Sequence, residues 1–316
     1  MGTPGFAVGP LQRLLESGCR VVGVITSPDR PAGRGKKMRA SEIKRFLLEQ
    51  GSRIPVLQPE NLKDPAFVRD LAGLEPDLQV VVAFRMLPRV VWSIPRLGTF
   101  NLHASLLPQY RGAAPINHVL INGEQETGVT TFLIDEQIDT VNILLQQRTP
   151  IRPDETAGEL HDHLMELGAG LVLETVQGLS EGTLKATPQD QYMAPGAPLK
   201  LAPKIFKEDC RLDWDLPGEQ LFNRIRGLSP QPGAYAFLES GTGTPVQVKI
   251  YKASFEKKVH REAPGTISTD GKRLLQVAVP DGMLRVLSLQ QEGKRRMDTG
   301  DFLAGFPFRN GPSRFS

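Results

Sequence analysis

The sequence predicts an α/β fold, in which a Rossmann-like, mostly parallel sheet with helices on both faces is followed by a small C-terminal β-barrel of OB-like form. Two observations predict it. Over the first 180 residues, short apolar runs alternate with amphipathic segments, as in strands and helices that build a parallel sheet. Beyond residue 203 the pattern changes to short stretches of alternating polarity separated by Gly, Pro and charged residues, which indicates a separate β-domain.

In the first part, the predicted strands are short apolar runs, and the predicted helices have start signals or amphipathic patterns. The clearest strand is centred on the three consecutive valines at residues 80–82. Ser41 is a suitable N-cap for a helix that follows it. The predicted strands cover residues 21–26, 78–84, 98–103 and 128–134, and the predicted helices cover residues 41–50, a segment beginning near Ala113, and residues 156–179.

A proline-rich stretch separates the two parts. Residues 188–203 contain four prolines, which is typical of a linker between packed units. Beyond it, strands are predicted at residues 233–239, 246–252, 275–279 and 284–289. We therefore expect a first domain at residues 1–187, a linker at 188–203 and a second domain at 204–316.

The composition excludes several classes of protein. No apolar stretch approaches the ~20 residues that a membrane span needs, so we expect no membrane association. The two cysteines, Cys19 and Cys210, lie far apart, which favours a reducing, cytoplasmic compartment over a disulfide framework. His161 and His163 are two residues apart and would face different sides of a helix. They are interpreted as surface histidines, and no metal is expected.

Charge is distributed unevenly along the chain. Residues 200–316 carry 19 Lys and Arg against 13 Asp and Glu, whereas residues 1–199 carry 19 against 22. A basic C-terminal part suggests an anionic partner held by the second domain. A merely solvated basic surface would give the same counts.

The densest group of chemically capable residues is the segment 100–108. Asn101 and His103 alternate with apolar residues, so both point to one side at the end of a strand, where open α/β sheets bind ligands. An amide can stabilise an oxyanion and an imidazole can transfer protons, as acyl transfer requires. A carboxylate-rich turn at residues 134–140 could bring an Asp next to His103 and raise its pKa. From spacing alone, a purely structural role of these polar residues stays open.

A basic stretch at residues 30–39 is the other prominent motif. It contains two glycines and lacks the spacing of a P-loop. It is interpreted either as a solvated loop or as a flexible arm that contacts phosphates. Its cations are Arg30, Arg34, Lys36, Lys37 and Arg39.

Several longer motifs give a resemblance to a known family. They include Gly2-Thr3-Pro4, the stretch from Pro28 to Lys37, Gln58-Pro59-Glu60-Asn61-Leu62, Asn101-Leu102-His103-Ala104-Ser105-Leu106-Leu107-Pro108, Arg111-Gly112-Ala113-Ala114-Pro115-Ile116, Glu126-Thr127-Gly128-Val129-Thr130 and Ala202-Pro203-Lys204-Ile205. With them the chain resembles the methionyl-tRNA formyltransferases over nearly its whole length. The Asn-x-His and Ser-Leu-Leu-Pro motifs, with a later Asp, belong to the wider group of enzymes that use formyltetrahydrofolate. The basic stretch and the second domain narrow the resemblance to the tRNA branch.

The resemblance implies the activity and its residues. It implies formyl transfer from 10-formyltetrahydrofolate to initiator methionyl-tRNA, with residues 1–187 as the catalytic domain and residues 204–316 as the tRNA-binding domain. Separately from the resemblance, we expect a monomer. It implies a catalytic trio of Asn101, His103 and Asp139. The residues implied to bind folate are Ser105, Leu106, Leu107 and Pro108, and those implied to bind tRNA are Arg30, Arg34, Lys36, Lys37 and Arg39. In the second domain, we expect Lys294, Arg295 and Arg296 to contact the tRNA backbone further along the acceptor stem.

Two differences from the family pattern accompany the resemblance. The family has a strand before Gly2, and its absence is expected to leave neighbouring strands without ladder partners. Val141 stands where the family usually has glycine, so Val141→Gly is expected to raise activity. Two alternatives remain at this stage: a folate-dependent formyltransferase for a small amine, and a non-catalytic tRNA-binding protein.

Overall fold

The structure is a computed structural model of the 316-residue chain. It describes residues 1–32, 37–135, 142–193, 196, 198–240, 244–306 and 313–316. The α-helices are α1 (Val8–Glu16), α2 (Glu42–Glu49), α3 (Pro65–Gly73), α4 (Arg89–Trp92), α5 (Pro115–Ile121), α6 (Ala157–Glu181), α7 (Gly218–Leu228) and α8 (Thr299–Gly305).

The strands lie in two groups along the chain. The first group is β1 (Val24–Ile25), β2 (Arg30–Ala32), β3 (Lys37–Arg39), β4 (Val56–Leu57), β5 (Gln79–Val82), β6 (Thr99–His103), β7 (Arg111–Gly112), β8 (Glu126–Leu133), β9 (Asn142–Pro150), β10 (Thr187–Pro188) and β11 (Leu201–Ala202). The second group is β12 (Ala234–Ser240), β13 (Val246–Lys257), β14 (Ile267–Thr269), β15 (Leu275–Val279), β16 (Gly282–Gln291), β17 (Met297–Asp298) and β18 (Ser313–Phe315).

The described chain divides into two compact units. The first contains residues 1–110, 127–149 and 161–200. The second contains residues 111–126, 150–160 and 201–316, so α5 and the segment before α6 fall in it. The linker predicted at residues 188–203 begins at the second residue of β10 and includes β11 near its end.

The main sheet of the first unit has the strand order β10-β9-β8-β6-β5. β5 and β6 are parallel, as are β1 and β4, whereas β8 runs antiparallel to β6, and β10 antiparallel to β9. The parallel pairs form the Rossmann-like part of the α/β fold. The strands predicted in this unit are confirmed, although β1 is only two residues long.

Helices cover both faces of this sheet. Thr131 of β8 and Thr175 of α6 share a hydrogen bond of 2.9 Å, and Gly168 of α6 lies directly over Leu102 of β6. Val81 lies on the opposite face, in a core cluster with residues of α3 and α4 that includes Leu71 and Val91. The predicted two-sided packing is confirmed. Ser41 caps α2 as predicted, since its Oγ accepts a hydrogen bond from the amide of Lys44.

Met1 and Gly2 lie between β1 and β5. The amide of Val82 donates to Met1 O at 2.9 Å, and the amide of Gly2 donates to Ile25 O at 3.0 Å. A cavity of about 460 Å³ adjoins them and is lined by residues 19–25 and 74–80, among others. Within the described residues, β1 and β4 form a two-stranded sheet separate from the larger one.

The second unit contains a nearly closed barrel. Its strand order is β14-β15-β16-β13-β12-β18, and a bridge between Thr266 and Arg314 joins the two ends. Leu221 and Ile225 of α7 pack into its core with Phe315. The four strands predicted here are confirmed by β12, β13, β15 and β16, and with them the predicted C-terminal barrel.

Candidate active site

Strand β6 carries both candidate catalytic side chains near its carboxyl end. Asn101 and His103 alternate with Phe100 and Leu102, so the polar pair shares one face of the sheet and the apolar pair the other. Phe100 and Leu102 are buried, and the polar pair is half-buried. The apolar pair anchors β6 on the α6 side and directs the amide and the imidazole to the opposite face.

The amide of Asn101 has no hydrogen-bond partner within the part of the chain that the structure describes. The side chain is half-buried, so its amide group remains accessible to a ligand that accepts its hydrogen bond. The side chain is therefore suited to donate to a negatively charged oxygen that forms during a reaction.

Ser105 contributes to the orientation of the His103 ring. His103 Nδ1 lies 3.0 Å from Ser105 Oγ, and this hydroxyl donates its single proton to the carbonyl oxygen of Gln109 at 2.8 Å. Because that proton is already used, Ser105 Oγ accepts from Nδ1–H. In the neutral imidazole the lone pair then belongs to Nε2. Ser105 thus positions His103, a role that the sequence did not predict.

The turn at residues 105–108 is held by side chains from β8 and β9. Thr130 Oγ1 donates to Ser105 O at 2.6 Å and accepts from the amide of Leu107 at 3.1 Å. Gln146 Nε2 donates to Leu107 O at 2.6 Å. Thr130 and Gln146 were not predicted as site residues, because neither lies near this turn in sequence. The segment predicted to bind folate is therefore fixed mainly through its backbone.

A small apolar cluster lies beside Asn101. It consists of Leu107 and Ile143, with Phe132 packed against them. Phe132 is paired with Asn101 across the β6–β8 ladder, so both side chains project from the same face. Leu107 and Ile143 are buried, so the half-buried Phe132 is the member of this cluster that presents an apolar face next to the amide, as a flat heterocyclic ring requires.

The third member of the predicted trio cannot be placed. Asp139 and Val141 belong to residues 136–141, which lie outside the described residues. Just before them, Asp135 accepts a hydrogen bond of 3.0 Å from Asn142 Nδ2.

The predicted arm forms a ribbon in its described part. β2 and β3 pair antiparallel, with Arg30 opposite Arg39, and both side chains are exposed. Arg39 also forms an ion pair of 2.9 Å with Glu42. Arg34, Lys36 and the side chain of Lys37 lie outside the described residues.

The predicted basic group of the second unit follows β16. Lys294, Arg295 and Arg296 are exposed, and the Arg296 guanidinium lies 4.6 Å from the centre of the Tyr251 ring. Arg295, Arg296 and Lys252 line a concavity of about 410 Å³ that also contains acidic side chains. The two predicted basic groups therefore belong to different units of the chain.

The histidines of α6 have ordinary packing partners. His161 contacts the Phe6 ring edge-on, with 5.3 Å between ring centres, and His163 Nε2 lies 3.1 Å from Thr149 Oγ1. Both are half-buried rather than fully exposed. Among the described residues, no group of His, Cys, Asp and Glu side chains is arranged to hold a metal ion, and no helix has the length and apolarity of a membrane span.

Two family models match the chain. The model described as formyl transferase matches residues 2–176, and the model described as formyl transferase, C-terminal domain, matches residues 204–307. The chain belongs to the formyl transferase family.

Its relatives within that family are methionyl-tRNA formyltransferases. The protein of that name from Bacteroides fragilis is 55% identical over 97% of this chain and 94% of its own length. That from Bacteroides thetaiotaomicron is 53% identical over 98% and 96%, and that from Flavobacterium johnsoniae is 46% identical over 98% and 95%.

Solved structures share the fold at lower identity. A sugar 3N-formyl transferase, WlaRD, solved with dTDP and 5-N-formyl-THF, is 18% identical with a TM-score of 0.62 and covers 93% of this chain and 97% of its own. HypX from Aquifex aeolicus, solved with tetrahydrofolic acid, is 20% identical with a TM-score of 0.58, over 84% of this chain and 44% of the longer HypX chain.

Proposed function

We propose that this chain transfers the formyl group of 10-formyltetrahydrofolate to the α-amino group of methionine on initiator methionyl-tRNA, the reaction used to begin translation. The relatives named for this activity match it over nearly its whole length. The geometric observation that carries the proposal is the pair of side chains on one face of β6. There the Asn101 amide, which has no hydrogen-bond partner among the described residues, lies two residues from an imidazole whose Nδ1 is hydrogen-bonded to Ser105.

The chemical step begins with attack of the methionine amine on the formyl carbon. A carbon–nitrogen bond forms, and the carbonyl electron pair moves onto oxygen to give an oxyanion. In the proposal, the Asn101 amide donates to this oxyanion, and protonated His103 adds a positive charge. Asp139 is proposed to favour the charged imidazole.

Collapse of the intermediate completes the transfer. The carbonyl re-forms, the bond between the formyl carbon and N10 of the folate breaks, and N10 takes up a proton as it leaves. The attacking amine loses a proton in the same sequence, so protons balance over the reaction. His103 or a bound water carries the proton between the two nitrogens.

The remaining predicted residues bind the two substrates in this proposal. The turn of Ser105, Leu106, Leu107 and Pro108 binds the folate, and the apolar cluster beside Asn101 supports its ring system. The cations of the β2–β3 segment and the group Lys294, Arg295 and Arg296 bind tRNA phosphates. The protein acts as a monomer in the cytoplasm, without a metal.

The experiment is a substrate panel with one formyl donor. Labelled 10-formyltetrahydrofolate is offered with methionyl-initiator tRNA, methionyl-elongator tRNA or a nucleotide-linked amino sugar. The proposal expects label on the methionyl-initiator tRNA and none on the sugar. Transfer to the sugar alone would assign the chain to small amines, and tight tRNA binding without any transfer would favour a non-catalytic tRNA-binding protein.

A further inference from the structure

Three side chains at the base of the β2–β3 ribbon form a closed triangle of polar contacts. Lys44 Nζ lies 2.7 Å from Asp29 Oδ2 and 2.6 Å from Gln58 Oε1. Gln58 Nε2 donates to Asp29 Oδ1 at 2.8 Å. Each member therefore contacts both others, although they come from the residue before β2, from α2 and from the residue after β4. Contacts to charged groups are among the stronger hydrogen bonds in proteins.

Further contacts tie the segment before the ribbon to the same base. Gln58 Nε2 also donates to the carbonyl of Ser27 at 2.8 Å, and Thr26 Oγ1 donates to Ser41 Oγ at 2.7 Å. The Thr26–Ser41 and Asp29–Lys44 pairs each join residues 15 positions apart. Each of these two contacts joins a residue before the ribbon to a residue after it, so together they hold the two ends of the ribbon segment close to each other.

The ribbon itself is poorly suited to hold its own position. It has three residue pairs, and an isolated two-stranded ribbon is marginal at best. Arg30 and Arg39 face each other across it, and like charges directly opposite are destabilising. Glu42 pairs with Arg39, but both arginines remain exposed. The repulsion between the two arginines favours an anionic ligand that binds between them. Because the ribbon is short, contacts outside it are needed to hold it in place.

We propose that Asp29, Lys44 and Gln58 are positioning residues that hold the β2–β3 ribbon so that Arg30 and Arg39 meet phosphates of the substrate tRNA. The inference rests on the proposed function, because it gives residues outside the catalytic face a role in binding the tRNA substrate. The hydrogen bond from Gln58, followed by that from Lys44, lowers the pKa of Asp29, because both contacts stabilise the charged carboxylate. The triangle acts through the ribbon and touches no reacting atom.

The experiment uses Asp29→Asn, Lys44→Met and the double variant in the full chain. If only net charge affected tRNA binding, Asp29→Asn would bind tRNA more tightly, because a negative charge near the ribbon is lost. On the same assumption, Lys44→Met would bind tRNA less tightly, because a positive charge is lost. A positioning role predicts loss in both. Each single variant is expected to weaken tRNA binding about tenfold, the equivalent of losing one charge-assisted contact.

A control variant and separate measurements of KM and kcat distinguish positioning from other effects. Asp77→Asn removes an exposed ion pair of 2.8 Å to Arg96 in the same unit, and it is expected to change nothing. The double variant should resemble the single ones, because both remove one coupled device. KM for tRNA should rise while kcat at saturating tRNA stays within about twofold. Tighter or unchanged binding by Asp29→Asn, or a fall in kcat alone, overturns the proposal.

Limited trypsin digestion separates failure of this inference from failure of the proposed function. Faster cleavage after Lys37 and Arg39 is expected in Asp29→Asn, and not in Asp77→Asn. A wild-type chain that transfers no formyl group would contradict the proposed function, while the cleavage rates would still test whether the triangle holds the ribbon. Equal cleavage rates in all variants would show that the triangle does not hold the ribbon.

Discussion

At the scale of single residues, the Asn101 amide carries the oxyanion hypothesis. Asn101→Ala should lower kcat by about a hundredfold, the usual effect of deleting one oxyanion donor. Its melting temperature should stay near that of the wild type, because the side chain has no hydrogen bond to lose within the described chain. Steady-state formyl transfer and thermal unfolding measure the two effects. A large fall in melting temperature with a proportional loss of activity would instead indicate a structural role.

Ser105 tests whether the orientation of His103 matters. Ser105→Ala removes the acceptor for His103 Nδ1–H, which weakens the constraint on the orientation and tautomer of the ring. We expect kcat to fall about tenfold, within the range given by loss of an orienting contact to a catalytic base. Ser93→Ala is the matched control, since it removes an exposed hydroxyl that donates to Arg89 O at 2.7 Å. Equal activity of the two variants would refute the role of Ser105.

Sequence could name Asn101 and His103 but not their supports. Alternation along a strand is a local pattern, and it showed that both side chains share a face. Ser105 was predicted to bind folate, and that stays a prediction; the contacts of its hydroxyl with His103 and Gln109 O were not predicted. Thr130 and Gln146 reach the turn from strands more than 20 residues away, and no short motif encodes a contact formed only by tertiary packing.

At the scale of elements, β8 and β9 approach closely at Gly128. A Cβ at this position would collide with the carbonyl oxygen of Gln147 and lie 2.6 Å from Leu106 Cδ2. Gly128→Ala should therefore destabilise the protein by about 1–3 kcal/mol through overpacking. Gly170→Ala is the control, because a Cβ there meets nothing within 4 Å inside α6. That variant should gain up to about 1 kcal/mol from helix propensity. Urea unfolding compares them, and equal stabilities would contradict the predicted collision.

The turn between β14 and β15 provides a pH-dependent test. Asp270 Oδ1 accepts from the amides of Lys272, Arg273 and Leu274 at 2.8 Å each, and these bonds, led by that from Leu274, lower the pKa of Asp270 to about 2. A lowered carboxyl pKa adds stability above its unfolded value of about 4, and this stability is lost as pH falls toward 2. Wild type should exceed Asp270→Asn in unfolding free energy at pH 6, and the difference should close between about pH 4 and 2. A difference that is independent of pH would contradict it.

Elements were predicted unequally, for physical reasons. The 25-residue α6 and the strands of the barrel have long or regular patterns, and they appear where expected. Helix α1 was not predicted, because Gly9 and Pro10 argue against a helix, although a first turn tolerates both. β9 was not predicted either, since its second half, residues 146–149, is polar and shows no alternation of apolar and polar residues.

At the scale of the whole molecule, the sequence predicted two parts with different patterns of hydrophobic and polar residues. The structure contains an α/β unit and a barrel unit. Sequence did not predict that residues 111–126 and 150–160 would pack with the second unit. The amphipathic pattern of a helix shows which of its faces is buried. It does not show which unit of the protein packs against that face. The cations predicted to bind tRNA are divided between the two units.

The most direct test of the account is single-turnover transfer of labelled formyl from 10-formyltetrahydrofolate to methionyl-initiator tRNA, by wild type and by His103→Ala. The account predicts rapid labelling of the methionine amine by wild type and a rate at least about a hundredfold lower in the variant, because a proton-transfer group and a charge are lost together. Equal rates would remove His103 from the chemistry. No labelling by folded wild-type protein that binds the tRNA would contradict the proposed reaction itself.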